Sequence, residues 1–420
     1  MLKRNKSLVK YLNTYAEPLI EKYKKCDGRF KHVVVIPVYD ELPDKIIKII
    51  ESDYMASGIL FILVVNAHDH SSNDAILRTR CLLKTLSDYQ LSQGNHHLIE
   101  NKNGLIVVDC CSEDLLLPMK QGVGLARKTG CDLAAFYIYQ GRVDSRWIYS
   151  TDADVQLPPD YFSNRNNINA LSCSAAIYPF YHQPDIGFEQ ASRLYEQSLR
   201  YYVKGLRQAN SPYGFHTIGS LLKIDVTAYA AVRGFPKRSA GEDFYLLNKL
   251  AKVGQVMTLE GAPVILAGRP SKRVPFGTGP ALKKIQELKA PCKDYLYYHP
   301  EIFYGLKWLI QAVNRLSEQE STSHTIERIA LCLNDISPLN STILSAITTS
   351  LYRINFQKIL THASNYGKTP RAFLKQFHNG FDGFKTLKFI HSMRDEGFPS
   401  VNQAYLEASC YWFTKAVNLH

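Results

Sequence analysis

The chain has 420 residues, 45% of them hydrophobic, with 50 Lys and Arg against 38 Asp and Glu for a formal net charge of +12. This suits a globular protein of two or three domains, and the positive balance favours anionic partners such as nucleic acid, an anionic membrane surface or phosphorylated small molecules. No dense Lys/Arg run interleaved with aromatics supports nucleic acid, and nine cysteines without C-x-x-C spacing exclude a disulfide framework or an ordinary zinc site.

Residues 1–30, with the basic stretch MLKRNKSLVKYLNTYAEPLIEKYKK, read as an N-terminal helical extension. They carry no apolar signal core and no small-residue cleavage site. The longest apolar stretch, GILFILVVNA, is about half the length that spans a bilayer. A cytoplasmic protein without a transmembrane segment is expected, with room left for peripheral contact with a membrane surface.

From residue 31 the pattern alternates. HVVVIPVYD reads as a buried strand and ELPDKIIKIIESD as a helix. GILFILVVNA is a second strand and NDAILRTRCLLKTLSDYQLS a second helix. GLIVVDCC is a third strand, followed by the helical GVGLARKTGCDLAAFYIY, and RWIYSTDAD is the fourth strand. Continuous Val/Ile/Leu runs alternating with amphipathic helices predict a parallel sheet covered on both faces. Ligands of such sheets bind beyond the carboxyl ends of the strands. There this chain has Asp40 and Glu41, then Asn66 and Asp69, then Asp109, then Asp152 and Asp154. A rim of carboxylates beside apolar strands suits a divalent cation that holds phosphates.

After about residue 286 helical spacing dominates, with Thr369 and Pro370 reading as an N-cap followed by proline at the first helical position. The expected division is 1–30, then an α/β domain over 31–285, then a mostly helical domain over 286–420.

Four features stand in order: VVVIPVYDE, GVGLARKTGCDLA, the DAD of residues 152–154, and AGEDFYLLNKL. Together they resemble the family 2 glycosyltransferases, over roughly residues 31 to 280. The resemblance implies a GT-A fold, a Rossmann-like, mostly parallel sheet flanked by helices. It also implies transfer of a hexose from a UDP- or GDP-sugar to an acceptor hydroxyl with Mg or Mn. A divalent metal bridging the phosphates neutralises the leaving group's growing charge. In the family the D-x-D has this role, so Asp154 is the first metal ligand and Asp152 a partner for metal or ribose. His216 and His299 are candidates for a further ligand. Pro37, Tyr39 and Glu41 match the family's first nucleotide-contacting loop, and Asn66 and Asp109 lie on the same rim. The second strand departs from the family, with VVNAHDHSSND where many members read like VVDDGS-x-D.

Arg127 and Lys128 stand on a helix expected to pack under the site, where a cation would contact the diphosphate. In AGEDFYLLNKLAKVG, Phe244, Leu247 and Ala251 would face inward and set Glu242 and Asp243 in the first helical turn. In inverting members the Asp of this motif takes the proton from the acceptor hydroxyl. That assigns Asp243 as base beside Glu242, with the helix N-terminus helping to keep it ionised. GRPSKRVPFGTGP, following the last strand, offers Arg269, Lys272 and Arg273 to a diphosphate or an anionic acceptor. Tyr178, Tyr181, Tyr201 and Tyr202 are candidates to stack on a sugar face.

Three alternatives remain from the sequence. A retaining synthase would glycosylate a small acidic acceptor such as glycerate or phosphoglycerate, which suits the basic balance. A sugar nucleotidylyltransferase would need a Gly/Arg/Lys-rich loop near the first strand, which IPVYDELPDK does not supply. A non-catalytic module would bind nucleotide-sugars and act through the helical domain. The oligomeric state is not legible.

Overall fold

The computed structural model describes residues 5–25, 28–51, 58–92, 103–163, 172–271, 277–319, 324–336 and 341–413. The chain packs as two units, one of residues 1–185 with 217–280, the other of 186–216 with 281–420. Where sequence alone suggests one boundary near 285, a helical segment around residue 200 therefore joins the second unit.

The first unit opens with α1 (Lys6–Thr14), capped by the Asn5 side chain, and a 3-10 turn at Pro18–Tyr23. Then β1 (His32–Val38), α2 (Pro43–Ile50), β2 (Ile59–Asn66), α3 (Asn73–Ser92), β3 (Gly104–Cys110), α4 (Gly122–Gln140) and β4 (Trp147–Ser150) follow the alternation expected of their sequences. After them come β5 (Cys173–Ile177) and β6 (Phe180–Pro184), and, in the second unit, α5 (Glu189–Gln208). The first unit resumes with β7 (Leu222–Asp225), α6 (Val226–Ala231), α7 (Glu242–Val253), β8 (Gln255–Thr258) and β9 (Val264–Gly268).

Seven strands form one sheet in the order β3-β2-β1-β4-β7-β5-β8, and β6 pairs with β9 in a parallel two-stranded sheet. The pairings β1–β2, β2–β3, β1–β4 and β5–β8 are parallel, while β7 runs antiparallel to both β4 and β5. The sheet is thus mostly parallel. The chain walks outward from β1 to β3, then returns through α4 to lay β4 on the other side of β1. This reversal separates the loops that follow β1 and β4, and it is where open α/β sheets leave a crevice.

Local chemistry explains the close packing at that point. All eight residues of β2 are buried, as are all but the first of β1, because both faces of the sheet are covered. A Cβ at Gly130 of α4 would come within 2.4 Å of Val35 Cγ1 and 2.9 Å of Val64 Cγ2, so only glycine lets the helix lie this close to β1 and β2. Pro37 sits in a central strand, which proline ordinarily avoids. The Val35 carbonyl accepts from Thr151 N at 3.1 Å, so the odd-numbered positions of β1 face β4. The β4 ladder ends at Val35 with Ser150, one step before the missing N–H of Pro37 would be needed.

The N-terminal segment is no loose extension. Leu8, Tyr11 and Ile20 are buried, and Tyr11 joins an ionic cluster on α4. The expected inward face of α7 is rotated. Leu246, Leu247 and Leu250 are buried with Glu242 and Asn248, while Phe244 and Ala251 are only partly covered. The rotation follows from Glu242, whose carboxylate is held inside by a buried guanidinium.

In the second unit, α5 is followed by α8 (Thr278–Gln286), α9 (Pro291–Asp294), α10 (Pro300–Ser317), α11 (Ile326–Ile336), α12 (Ser341–Arg353), α13 (Phe356–Tyr366), α14 (Pro370–Gly380), α15 (Gly383–Asp395) and α16 (Gln403–Ser409), with α8 beginning in the first unit. Among the described residues no strand follows β9. Thr369 caps α14 as expected, its hydroxyl accepting from Ala372 N at 3.2 Å with Pro370 at the first position. Tyr201 stacks on Trp412 with ring centroids 4.9 Å apart, in a core shared with Phe303 and Tyr297. No helix among the described residues is long and apolar enough to cross a membrane.

Candidate active site

Four elements of the first unit converge beyond the carboxyl ends of β1 and β4. Glu41 follows β1, Asp152 and Asp154 follow β4, Glu242 and Asp243 open α7, and Arg269 directly follows β9. Backbone pairing holds the last of these near the D-x-D loop. Gln156 and Ile265 exchange hydrogen bonds of 2.9 and 3.0 Å, which ties the loop after Asp154 to β9.

Arg127, on α4, is the internal tie. Its Nη2 donates to Asp152 at 2.5 Å, its Nε to Glu242 at 3.0 Å, and its Nη1 to the Ser150 hydroxyl at 2.9 Å and the Thr151 carbonyl at 3.3 Å. The guanidinium is 3% exposed, against 37% for the Asp152 side chain. Burial alone would lower its pKa, and the carboxylates of Asp152 and Glu242 outweigh burial and raise it. A Cβ at Gly219 would meet Arg127 Nη2 at 2.6 Å, so that glycine leaves the guanidinium its space. Arg127 therefore gives four of its five N–H donors to protein groups from a buried position, where its sequence position suggested a diphosphate contact.

Lys128, one residue on, faces away from the rim. Its ammonium donates to the Tyr11 hydroxyl at 2.9 Å, the Tyr15 carbonyl at 2.8 Å and Asp132 at 2.8 Å. The reading of Lys128 as a donor contact is corrected by this enclosure. Rotation of about 100° per helical residue puts neighbours on different faces. The sequence carried a usable signal here, since α4 is apolar nearly all round and a cation on such a helix must be paired inside.

The outer side of the cluster holds a second cation. Arg269 Nη2 donates to Asp154 Oδ2 at 2.8 Å and to Glu41 Oε1 at 3.1 Å. The Glu41 side chain is 5% exposed, while those of Asp154 and Arg269 are 28% and 30% exposed. Burial lowers the Arg269 pKa less than Asp154 and Glu41 raise it. Lys272 and Arg273 lie outside the described residues.

Asp243 is partly buried and accepts from Phe244 N at 2.6 Å. Burial, and then the Glu242 carboxylate beside it, push its pKa up to about 7. Burial and the neighbouring carboxylate thus act against the helix N-terminus, the end expected to help keep it ionised. Asp152 is pushed up as well, by burial more than Arg127 pulls it down, with Asp154 adding to the rise.

The other residues singled out in the sequence have the following surroundings. Asn66 is buried and donates to the Val38 and Val64 carbonyls at 3.2 and 3.0 Å, bracing the ends of β1 and β2. Asp109 accepts from Cys111 N, Ser112 N and the Ser112 hydroxyl, closing the turn after β3. Burial raises its pKa, and those hydrogen bonds outweigh burial and hold it low. Tyr39 donates to the Ser71 hydroxyl at 3.1 Å and stacks on His68. Tyr178 is buried, with its hydroxyl on the Tyr161 carbonyl, and Tyr201 belongs to the core of the second unit with Tyr202 packed against it. Tyr181 is 45% exposed. His216 and His299 belong to the second unit, where His299 caps α10 through Glu301 N at 3.2 Å.

Asp154 and Glu41 already converge on one cationic nitrogen, so their donor set fits a hard cation. Among the described residues no group of three or more His, Cys, Asp or Glu side chains is arranged to hold a metal. In Mg and Mn sites one or two carboxylates suffice when phosphates and water complete the shell.

No family model and no curated protein matches the chain. Among solved structures the chain is similar to the mannosyltransferase PcManGT from Pyrobaculum calidifontis in complex with GDP-Man and Mn2+. The two share 14% identity over 90% of this chain and 99% of that one, with a TM-score of 0.35.

Proposed function

We propose that the chain is a glycosyltransferase that moves a hexose from a nucleotide diphosphate sugar to an acceptor hydroxyl, with inversion and with Asp243 as general base. The observation that carries this reading is the gathering of Glu41, Asp152, Asp154, Glu242 and Asp243 at the β1/β4 reversal of a mostly parallel sheet. Asp154, with Asp152 or Glu41 beside it, would hold Mg or Mn. The bound ion would supply a positive charge to the leaving diphosphate.

The chain's own residues do the rest. Arg127 fixes Asp152 and Glu242 from below, so both carboxylates keep one orientation without spending a solvent-facing cation on them. Asp243, pushed up to about 7, is a base whose proton affinity lies close to neutral pH, where proton transfer from a hydroxyl is most effective. The Glu242 carboxylate is engaged by Arg127 and serves to position rather than to accept the proton.

Asp154→Ala tests the reading. It should abolish the stabilisation of the protein by UDP or GDP with Mn2+, measured as a shift of the thermal midpoint, and leave the unliganded midpoint within a few degrees. A variant that keeps the metal-dependent shift overturns the assignment.

A further inference from the structure

One guanidinium nitrogen of Arg269 serves two carboxylates at once, Asp154 at 2.8 Å and Glu41 at 3.1 Å. Side by side, two such carboxylates repel and need a cation between them. Arginine is well suited to this place, because its guanidinium is weakly hydrated and always charged. Magnesium and its analogues carry twice the charge but give up water reluctantly, and two carboxylates alone repay that poorly.

Resting on the reading above, we infer that Arg269 is a built-in surrogate cation that holds the Asp154–Glu41 pair in the unliganded protein and must be displaced before a divalent cation can enter. A diphosphate changes the balance twice over. It adds oxygen ligands to the metal's shell, and it offers the displaced guanidinium an anion to pair with in a bidentate manner. Metal and nucleotide then favour each other's binding, and the coupling is reciprocal by linkage. The backbone bridge between Gln156 and Ile265 keeps Arg269 beside the D-x-D loop, so displacement needs only side-chain rotation.

The test is a pair of titrations on the full chain, each for wild type, Arg269→Gln and Arg269→Lys. Mn2+ alone is titrated first and followed by its paramagnetic resonance signal, and then GDP and UDP are titrated at saturating Mn2+. The expected pattern is crossed. Arg269→Gln binds Mn2+ alone roughly three- to tenfold more tightly and binds the nucleotide with Mn2+ more weakly by a similar factor. Arg269→Lys, which keeps the charge without the fork, falls between. Adding Asp154→Asn to Arg269→Gln should cancel the gain in Mn2+ affinity.

Unchanged or weaker Mn2+ binding by Arg269→Gln, with its thermal midpoint intact, overturns the proposal. So does a gain that survives Asp154→Asn, because the ion is then bound elsewhere. Tighter Mn2+ binding with unaltered nucleotide affinity removes the diphosphate from the proposal. A Mn2+ gain cancelled by Asp154→Asn, in proteins none of which binds GDP or UDP, supports the surrogate cation and sinks the nucleotide-sugar reading of the site.

Discussion

Two ionic clusters of the first unit begin from adjacent residues of α4 and end in opposite condition. Around Lys128, the cations Lys128 and Lys237 face the carboxylates of Asp132 and Glu17, and the centre is closed. Asp132 is wholly buried and accepts from the hydroxyls of Tyr11 and Tyr229, from Lys128 and from Glu17 N. Around Arg127, the carboxylates of Asp152 and Glu242 meet that guanidinium, those of Asp154 and Glu41 meet Arg269, and Asp152 and Asp154 reach solvent. A balanced, closed cluster is scaffold, since each charge already has its partner. A cluster whose carboxylates reach solvent leaves them open to a cation or an acidic proton.

The largest expected effect breaks the scaffold side. Asp132→Ala leaves Lys128 buried without its carboxylate and should lower stability by about 3–5 kcal/mol in denaturant unfolding. A loss under about 1 kcal/mol would show that the N-terminal segment is held by packing alone and that the two clusters differ less than their geometry says.

Asp243→Asn acts on the open side and should separate chemistry from folding. Transfer should fall by roughly 10²-fold or more while metal and donor affinity stay as they were, because a base acts on the acceptor. Transfer at the wild-type rate would reduce Asp243 to a helix-end acid and favour a retaining course, in which the leaving phosphate takes the proton.

A third expectation uses pH. A general base must be deprotonated, so with Asp243 in the proposed role kcat/KM should rise with pH and level off above about 7. Arg127 pulls the Asp243 pKa down, so Arg127→Gln should move that limb upward. A limb that stays in place would mean that Arg127 only braces Asp152 and Glu242.

The smallest effect is on stability. A carboxyl whose folded pKa is raised stabilises the fold most below its unfolded value near 4. That contribution is lost as pH rises through the folded value near 7. Asp243→Asn keeps a neutral group at every pH, so relative to wild type it should gain stability progressively between pH 4 and pH 8. Parallel curves across that range would show that Asp243 is not under strain.

The strands, the helices between them and the acidic strand ends were legible because each depends on local patterning. Val/Ile runs such as VVVIPV and ILFILVV make strands wherever both faces are covered, and an aspartate or glutamate after a strand falls on the rim by geometry alone. Thr369 before Pro370 announced its own cap for the same reason. The roles of the charged residues were not legible. Arg127 and Lys128 are alike in sequence, and only their separation around the helix axis sends one to Asp152 and the other to Asp132. Arg269 meets Glu41 across 228 positions, and no spacing rule reaches that far. Asp243 looked like an acid kept ionised by a helix end until burial beside Glu242 raised it. Local propensity and periodicity act over a few residues and are written along the chain. The pairing of charges and the shift of a pKa depend on which groups are desolvated together, and tertiary packing alone decides that.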